Sequence, residues 1–224
     1  IFYLHGVDPA TSIEETLRAV NDLHREGVFE RFGLSNYPAW QVVQVYYLCQ
    51  RLGYVVPTVS VTSSPVAFSA LSTARLLICL CANRSYQGLY NPLCRTVEYE
   101  LLPALRSVGM AFYAYSPLAG GLLANSTSAA RAGYRTGMLS DLGVVSADDL
   151  AADEAAAQRR KTFLKGMARL EHSVETAPSG PGGERLEVKD AALRWFFHHS
   201  QLIEGDAVVV GSSRLEQVEQ LLAS

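Results

Sequence analysis

Polar or aromatic side chains follow most of the short apolar runs of this sequence, at the points where strands would end. In order they are His5, Ser35 and Asn36, Gln87, Tyr115 and Ser116, and the segment 211–214. In a barrel of parallel strands, the carboxyl ends of all strands open onto one face, where the following loops meet. The pattern therefore predicts one shared site, built from hydrogen-bonding groups and an aromatic ring.

The elements that would position these groups alternate between strand and helix. Apolar runs predict strands at 1–4, 31–34, 55–59, 86–90, 111–115 and 207–210. Helical periodicity predicts helices at 12–27, 38–53, 96–108, 148–171, 189–199 and 214–222. Such alternation indicates a parallel sheet, which is either doubly wound or closed into a barrel. The sequence has no G-x-G-x-x-G turn and spreads its polar groups over many strand ends, which favours the barrel.

Composition excludes several classes of function. The chain has 224 residues, 49% of them hydrophobic and 18% charged, and a net charge of −3, so no basic field predicts binding to nucleic acid or an anionic membrane. No run approaches the ~18–20 apolar residues that cross a bilayer. The four cysteines have neither zinc-site nor disulfide-framework spacing. We expect no metal site, a reducing cytoplasmic compartment, and a chain that begins inside a strand.

One segment does not fit the alternation. Residues 60–85 separate Val59 from Tyr86, contain only two charges, Arg75 and Arg84, and have no clear amphipathic period. A stretch of this length is unusual inside a compact domain. We interpret 60–85 as an anomalous insertion, with a translated intron as one hypothesis, and expect it to disrupt the strand that contains Gln87. A genuine insertion loop and a buried helix are the alternatives.

Five segments together resemble the aldo-keto reductase superfamily. They read FYLHG, GLSNY, YQGLYN, YAYSPLAGGLL and VGSSRLEQ and lie at 2–6, 33–37, 86–91, 113–123 and 210–217. Their order is similar to that of the family's fourth to eighth strands, and the flanking segments 14–19 and 193–201 resemble the aflatoxin-aldehyde reductase branch. The resemblance implies an α/β fold, a partial (β/α)8 TIM barrel made of strands 4 to 8. It also implies one domain over 1–224, incomplete at its N-terminus.

The resemblance also implies a role for each site residue. His5 would orient the substrate carbonyl, and Tyr115 would stack on a nicotinamide ring. Residues that would hydrogen-bond the carboxamide are Ser35, Asn36 and Gln87, and those beside the pyrophosphate are Ser116, Leu118 and Gly120. Residues that would hold the 2′-phosphate and adenine are Ser212, Ser213, Arg214, Gln217 and Gln220. An arginine at a helix start suits a dense phosphate charge, which favours NADPH over NADH.

Less specific roles remain open for several of these residues. Ser35 and Asn36 could instead cap the helix that begins near Pro38. Tyr115 could be packing, and Arg214 a solvated charge.

The activity implied by the resemblance is NADPH-dependent reduction of aldehydes or ketones to alcohols. The substrate would be a small carbonyl compound, and a homodimer is expected by analogy with the branch. The family's general-acid Tyr and its Lys and Asp partners come from strands that would precede Ile1. We therefore expect this chain alone to be weak or inactive. The alternatives are a non-catalytic NADP(H)-binding protein, similar to channel β subunits, and a non-functional truncated gene product.

Overall fold

The computed structural model describes residues 1–57, 85–124, 154–178, 185–211 and Glu219. The chain divides into two compact units, each made of three separate stretches of sequence. The first comprises Ile1–Gly88, Thr96–Tyr115 and Gln201–Val209. The second comprises Leu89–Arg95, Ser116–Ser200 and Val210–Ser224.

A five-stranded sheet organises the first unit. Its strands are β1 (Phe2–Leu4), β2 (Phe32–Ser35), β3 (Ser85–Leu89), β4 (Ala111–Tyr115) and β5 (Ala207–Val208), in the spatial order β1-β2-β3-β4-β5. β1 pairs with β2, β2 with β3, and β4 with β5, each in parallel. Spatial order thus follows chain order, as it does in a barrel. The predicted α/β class with a parallel sheet is confirmed, and the strands match part of a (β/α)8 barrel.

Three helices connect these strands: α1 (Ile13–Arg25), α2 (Ala39–Leu52) and α3 (Leu101–Ser107). α1 begins as predicted, because the Ser12 hydroxyl accepts a hydrogen bond of 3.2 Å from the Glu15 backbone N–H. α2 ends at Gly53, whose φ of 65° lies in the left-handed region that glycine adopts without a steric penalty. The predicted helix 96–108 is divided between a 3₁₀ turn, Thr96–Glu98, and α3.

The second unit contains two longer helices, α4 (Glu154–Thr176) and α5 (Val188–His198). Phe163 and Met167, four residues apart on α4, pack with Val188 and Ala192 of α5 in one buried cluster. The predicted helix 214–222 lies outside the described residues, except Glu219, which is helical. Of the helices that the structure describes, none is both long and apolar enough to cross a membrane.

The side chains of the sheet alternate between two faces. On one face, the side chains of Phe32 and Leu34 of β2 and of Phe112 and Ala114 of β4 are at most 1% exposed. Tyr86 of β3 stacks on Phe112 on the same face, with ring centroids 6.1 Å apart. Because successive residues of a strand point to opposite faces, the intervening residues belong to the other face. That second face includes Gly33, Ser35, Gln87 and Tyr115.

A buried carboxylate joins three segments of the first unit. Asp206, whose side chain is 1% exposed, accepts hydrogen bonds of 2.9 and 2.5 Å from the two terminal nitrogens of Arg106. Its oxygens also accept from the backbone N–H of Phe112 at 2.8 Å and of Ile203 at 2.9 Å. This arrangement ties the segment before β5 to α3 and β4, and it satisfies a charge that would be costly to bury unpaired.

The strand predicted at 55–59 is not formed at residues 55–57. The Val55 N–H donates instead to Oδ1 of Asn21 at 2.9 Å, and Pro57 has no N–H to contribute to a sheet. Thr58 and Val59 lie outside the described residues.

The expectation that 60–85 would disrupt the strand containing Gln87 is wrong. β3 is formed, and Ser85, Tyr86 and Gln87 pair with Gly33, Leu34 and Ser35 respectively. Ser85, the last residue of the proposed insertion, is fully buried within this strand. Burial of Tyr86 against Phe112 and the ladder to β2 fix the register, because a slip of one residue would turn Tyr86 to the opposite face. Residues 60–84 lie outside the described part of the chain.

Candidate functional site

Four strands of the first unit place the predicted residues at one edge of the sheet. His5 follows the last residue of β1, Ser35 ends β2, and Tyr115 ends β4. Gln87 of β3 lies directly opposite Ser35. Because neighbouring strands run in parallel, their carboxyl ends meet at the same edge. The structure thus places these four residues along that edge, as the sequence predicted.

Asn36 is the centre of a hydrogen-bonded group at this edge. Its Nδ2 donates to the His5 carbonyl oxygen at 2.9 Å, and its Oδ1 accepts from the Tyr115 hydroxyl at 3.0 Å. Its φ of 56° lies in the left-handed region, which asparagine tolerates better than most residues. The side chain of Asn36 therefore connects His5 after β1 with Tyr115 at the end of β4. These three residues, His5, Asn36 and Tyr115, are called the edge group below.

Helix capping does not explain Ser35 or Asn36. The N-cap of α2 is Pro38, and this helix start has no side-chain capping hydrogen bond. The capping alternative is therefore wrong. Asn36 uses its amide within the edge group instead, and the side chain of Ser35 is only 4% exposed, in strand β2.

The edge group retains hydrogen-bonding capacity for a ligand. A side-chain amide has two N–H donors and two acceptor lone pairs, and Asn36 uses one of each within the described residues. The buried Ser35 hydroxyl makes no hydrogen bond among the described residues. Together these groups could bind a planar amide, by accepting from its NH₂ and donating to its carbonyl oxygen.

Three tyrosines near the site have pKa values that are shifted in the same direction. Burial raises the pKa of Tyr3, Tyr37 and Tyr86, and the nearby Asp8 carboxylate raises the pKa of Tyr37 further. The Tyr86 hydroxyl also donates to the Tyr37 carbonyl oxygen at 2.8 Å. A phenolic general acid needs a pKa lowered toward neutrality. These three tyrosines therefore suit positioning and packing better than proton transfer.

Ser116, Leu118 and Gly120 lie in the second unit, in the turn that follows β4. Ser116 and Gly120 have positive φ values of 54° and 68°. The Ser116 carbonyl accepts from Nδ2 of Asn91 at 3.1 Å and from the Ala119 N–H at 3.0 Å. The Leu118 carbonyl accepts from the N–H groups of residues 121 and 123, so the turn is held at several points.

Two residues beside the predicted sites were missed in the sequence. Asn91 is fully buried, and its Oδ1 accepts from the N–H groups of Leu93 and Cys94 at 3.0 Å. Tyr3 lies two residues before His5, and its hydroxyl hydrogen-bonds that of Ser85 on β3. The sequence did contain a signal for Tyr3, because this residue lies two positions before the site residue His5 and so shares its face of the strand. Asn91 gave no comparable signal, because its partners are distant in sequence or are backbone groups.

The residues predicted to hold the phosphate and adenine lie outside the described residues. They are Ser212, Ser213, Arg214, Gln217 and Gln220. That part of the site therefore stays a prediction.

Comparison with known proteins identifies the family of the chain. The profile of the Aldo/keto reductase family matches residues 1–224. Aflatoxin B1 aldehyde reductase member 2 of Mus musculus is 39% identical over 226 residues, which cover 100% of this chain and 53% of that protein. Aldo-keto reductase family 7 member A3 of Homo sapiens is 38% identical over 226 residues, which cover 100% of this chain and 58% of that protein.

The chain thus spans about half the length of the curated relatives it matches. The match of the family profile extends over every strand that positions the edge group. The chain therefore belongs to the aldo/keto reductase family.

Proposed function

We propose that this chain binds NADPH and forms the cofactor-holding part of an enzyme that reduces aldehydes or ketones to alcohols. The observation that supports it most is the Asn36 amide, held by His5 and Tyr115 with one donor and one acceptor to spare. A nicotinamide carboxamide needs one partner of each kind. Membership of the family supports the same assignment.

The residues of the chain divide the work of binding. Ser35, Asn36 and Gln87 hold the carboxamide, and the Tyr115 ring stacks on the nicotinamide at modest energy. Ser116, Leu118 and Gly120 border the pyrophosphate. Residues assigned to the 2′-phosphate and adenine are Ser212, Ser213, Arg214, Gln217 and Gln220, where the charge of Arg214 favours NADPH over NADH.

His5 orients the carbonyl oxygen of the substrate. Bound NADPH supplies the hydride that the carbonyl carbon receives. The proton for the oxygen requires a general acid, and the family's Tyr for this role is not among the five segments that resemble the family. Loss of a general acid costs about 10²–10⁴-fold in rate. We therefore expect the 224-residue polypeptide to bind the cofactor and to turn over weakly or not at all.

The substrate class follows from the relatives. Several of them are named as reductases of an aflatoxin B1 aldehyde. From these names we carry over to this protein only that the substrate is a reactive aldehyde. We propose dialdehydes and semialdehydes as substrates of the whole enzyme. A cytoplasmic location and a homodimer remain part of the proposal.

A second candidate is a non-catalytic NADP(H)-binding protein. The upward shift of the pKa of Tyr3, Tyr37 and Tyr86 favours it, because none of these phenols suits proton donation. Fluorescence titration of the purified chain with NADPH, followed by an assay with an aromatic aldehyde and a semialdehyde, separates the candidates. Saturable binding with slow turnover supports the first, and binding without any turnover supports the second. Absence of binding, with a poorly cooperative melt, contradicts both and indicates a non-functional product.

A further inference from the structure

Tyr3 lies in the layer of side chains directly beneath the candidate cofactor residues. Tyr3 of β1 pairs with Gly33 of β2, which pairs with Ser85 of β3. Two residues further along the strands, Ser35 pairs with Gln87. Positions two apart on a strand share a face, so these five residues lie on the same side of the sheet.

The phenol of Tyr3 crosses β2 to reach β3. A Cβ atom at Gly33 would lie 2.7 Å from Cδ1 of Tyr3 and 2.8 Å from the Ser85 carbonyl oxygen. Any larger residue at position 33 would thus collide with the ring, and glycine permits the close approach. Beyond Gly33, the Tyr3 hydroxyl hydrogen-bonds the Ser85 hydroxyl. A tyrosine on β1 is in this way fixed to a strand two places away.

Gln87 follows Ser85 by two residues on the same face of β3, so it neighbours the phenol that Ser85 holds. Burial raises the pKa of Tyr3, whereas hydrogen bonding by the side chains of Ser85 and then Gln87 lowers it. The phenol remains protonated near neutrality and has one O–H donor and an acceptor oxygen to share between them. An amide in contact with a fixed hydroxyl has fewer orientations available than one exposed to solvent.

We propose that Tyr3 is a positioning residue that orients the Gln87 amide toward the nicotinamide carboxamide. This inference rests on the proposed binding of NADPH. Tyr3 itself does not touch the cofactor in this scheme. It fixes which side of the Gln87 amide faces the ligand, with Ser85 holding the phenol in place. The role differs from that of His5, which orients the substrate.

The test compares two ligands on the whole 224-residue chain. Binding of NADPH is measured by its fluorescence. Binding of 2′-phospho-ADP-ribose, which is NADPH without nicotinamide, is measured by its displacement of NADPH or by calorimetry. Tyr3→Phe keeps the ring over Gly33 and removes the hydroxyl. The variant is expected to bind NADPH about 2- to 12-fold more weakly, the range of one hydrogen bond, with 2′-phospho-ADP-ribose unchanged. Tyr99→Phe, at an 86% exposed side chain, is the matched control and should alter neither ligand.

Coupling to Gln87 distinguishes positioning from a general structural role. Gln87→Leu should also weaken NADPH selectively, and adding Tyr3→Phe to it should cause no further loss. Equal weakening of both ligands by Tyr3→Phe, or full additivity with Gln87→Leu, overturns the inference. If Tyr3→Phe does not fold, Ser85→Ala releases the same phenol from β3 and should show the selective loss; unchanged NADPH binding there overturns it.

The failure of the proposed function gives a different result. In that case the unaltered chain binds neither ligand, and the inference falls with it. If the unaltered chain binds NADPH and the Tyr3→Phe variant binds it equally well, only the role of Tyr3 is overturned.

Discussion

The Tyr115 hydroxyl donates a hydrogen bond of 3.0 Å to Oδ1 of Asn36, joining the end of β4 to the residue that follows β2. The same amide donates from Nδ2 to the His5 carbonyl oxygen, so three loops depend on one side chain. In the proposed site Tyr115 therefore has two separable functions. Its ring contacts the nicotinamide, and its hydroxyl fixes the amide that binds the carboxamide.

Substitution of Tyr115 should separate these two functions. Tyr115→Phe keeps the ring and removes one hydrogen bond, so NADPH affinity should fall by about 0.5–1.5 kcal/mol. Tyr115→Ala also removes the ring and should cost a further ~0.5–1.5 kcal/mol. Fluorescence titration measures both, with Tyr99→Phe as the control at an exposed tyrosine. Equal affinities for the Phe variant and the unaltered chain would show that the hydroxyl is irrelevant to the site.

Asn36 contributes its side-chain amide and its tolerance of a left-handed backbone, and two substitutions test these contributions separately. Asn36→Gly removes the amide but accepts a φ of 56°, whereas Asn36→Ala removes the amide and adds strain of ~1–2 kcal/mol. Both variants should lose NADPH affinity to a similar extent. Both variants should also melt at a lower temperature because they lose the two hydrogen bonds of the amide, and the alanine variant should melt lowest because it alone adds the strain of the left-handed backbone. A glycine variant that binds NADPH normally would contradict the assigned role of the amide.

The sequence predicted those features that depend on local pattern. Ser12 three residues before Glu15 predicted the start of α1, and Gly53 the end of α2, because both signals act within one turn. Likewise, the alternation of apolar runs with helices predicted the parallel sheet. The position of site residues at strand ends needed only that topology.

Features that depend on contacts between distant residues could not be predicted in this way. The hydroxyl of Tyr115 meets Asn36, 79 positions earlier, and Asp206 meets Arg106 across 100 positions. The predicted strand at 55–59 is absent at residues 55–57 because the Val55 N–H finds Asn21 on α1, a partner that no local pattern indicates. The strand predicted at 86–90 forms as β3, and the expectation that the segment before it would disrupt it was wrong for a similar reason, since the ladder to β2 stabilises the strand.

The Asp206–Arg106 pair should dominate the stability of the first unit. Asp206→Ala removes the carboxylate that pairs with the Arg106 guanidinium and leaves the backbone N–H groups of Phe112 and Ile203 without that acceptor. Breaking a buried pair typically costs ~3–5 kcal/mol in the free energy of unfolding. The pair between the partly buried Lys189 and the exposed Glu187, at 3.0 Å, is the control, and Lys189→Ala should cost less than ~1 kcal/mol. Urea denaturation measures both, and similar costs for the two variants would argue against the anchoring role.

The buried thiols predict a loss of stability at alkaline pH. Burial raises the pKa of Cys49 to about 12 and that of Cys94 to about 11, above the ordinary value of 9.0. Because the folded state keeps these thiols protonated, their contribution is complete below pH 9 and is lost as the pH rises through the folded values. In a Cys79→Ser, Cys81→Ser background, only Cys49 and Cys94 can be alkylated. Their alkylation in the folded protein should stay slow up to about pH 10 and should reach the rate measured in the denatured protein only after unfolding. Rapid alkylation of the native protein at pH 8 would contradict the burial of Cys49 and the partial burial of Cys94.

Deletion of residues 60–85 should preserve β3. It joins Val59 directly to Tyr86, so that Val59 takes the position opposite Gly33 that Ser85 now occupies. Valine suits a fully buried strand position better than serine does, and the change sacrifices only the bond between Ser85 and Tyr3. The deletion variant should therefore melt at the same temperature or higher, and it should bind NADPH as weakly as the Ser85→Ala variant, because both lose the hydrogen bond between Ser85 and Tyr3. Deletion of 65–80, which keeps Ser85, is the matched control. Loss of cooperative unfolding in the 60–85 variant alone would show that Ser85 and the segment before it are integral to the sheet, and would contradict their interpretation as an insertion.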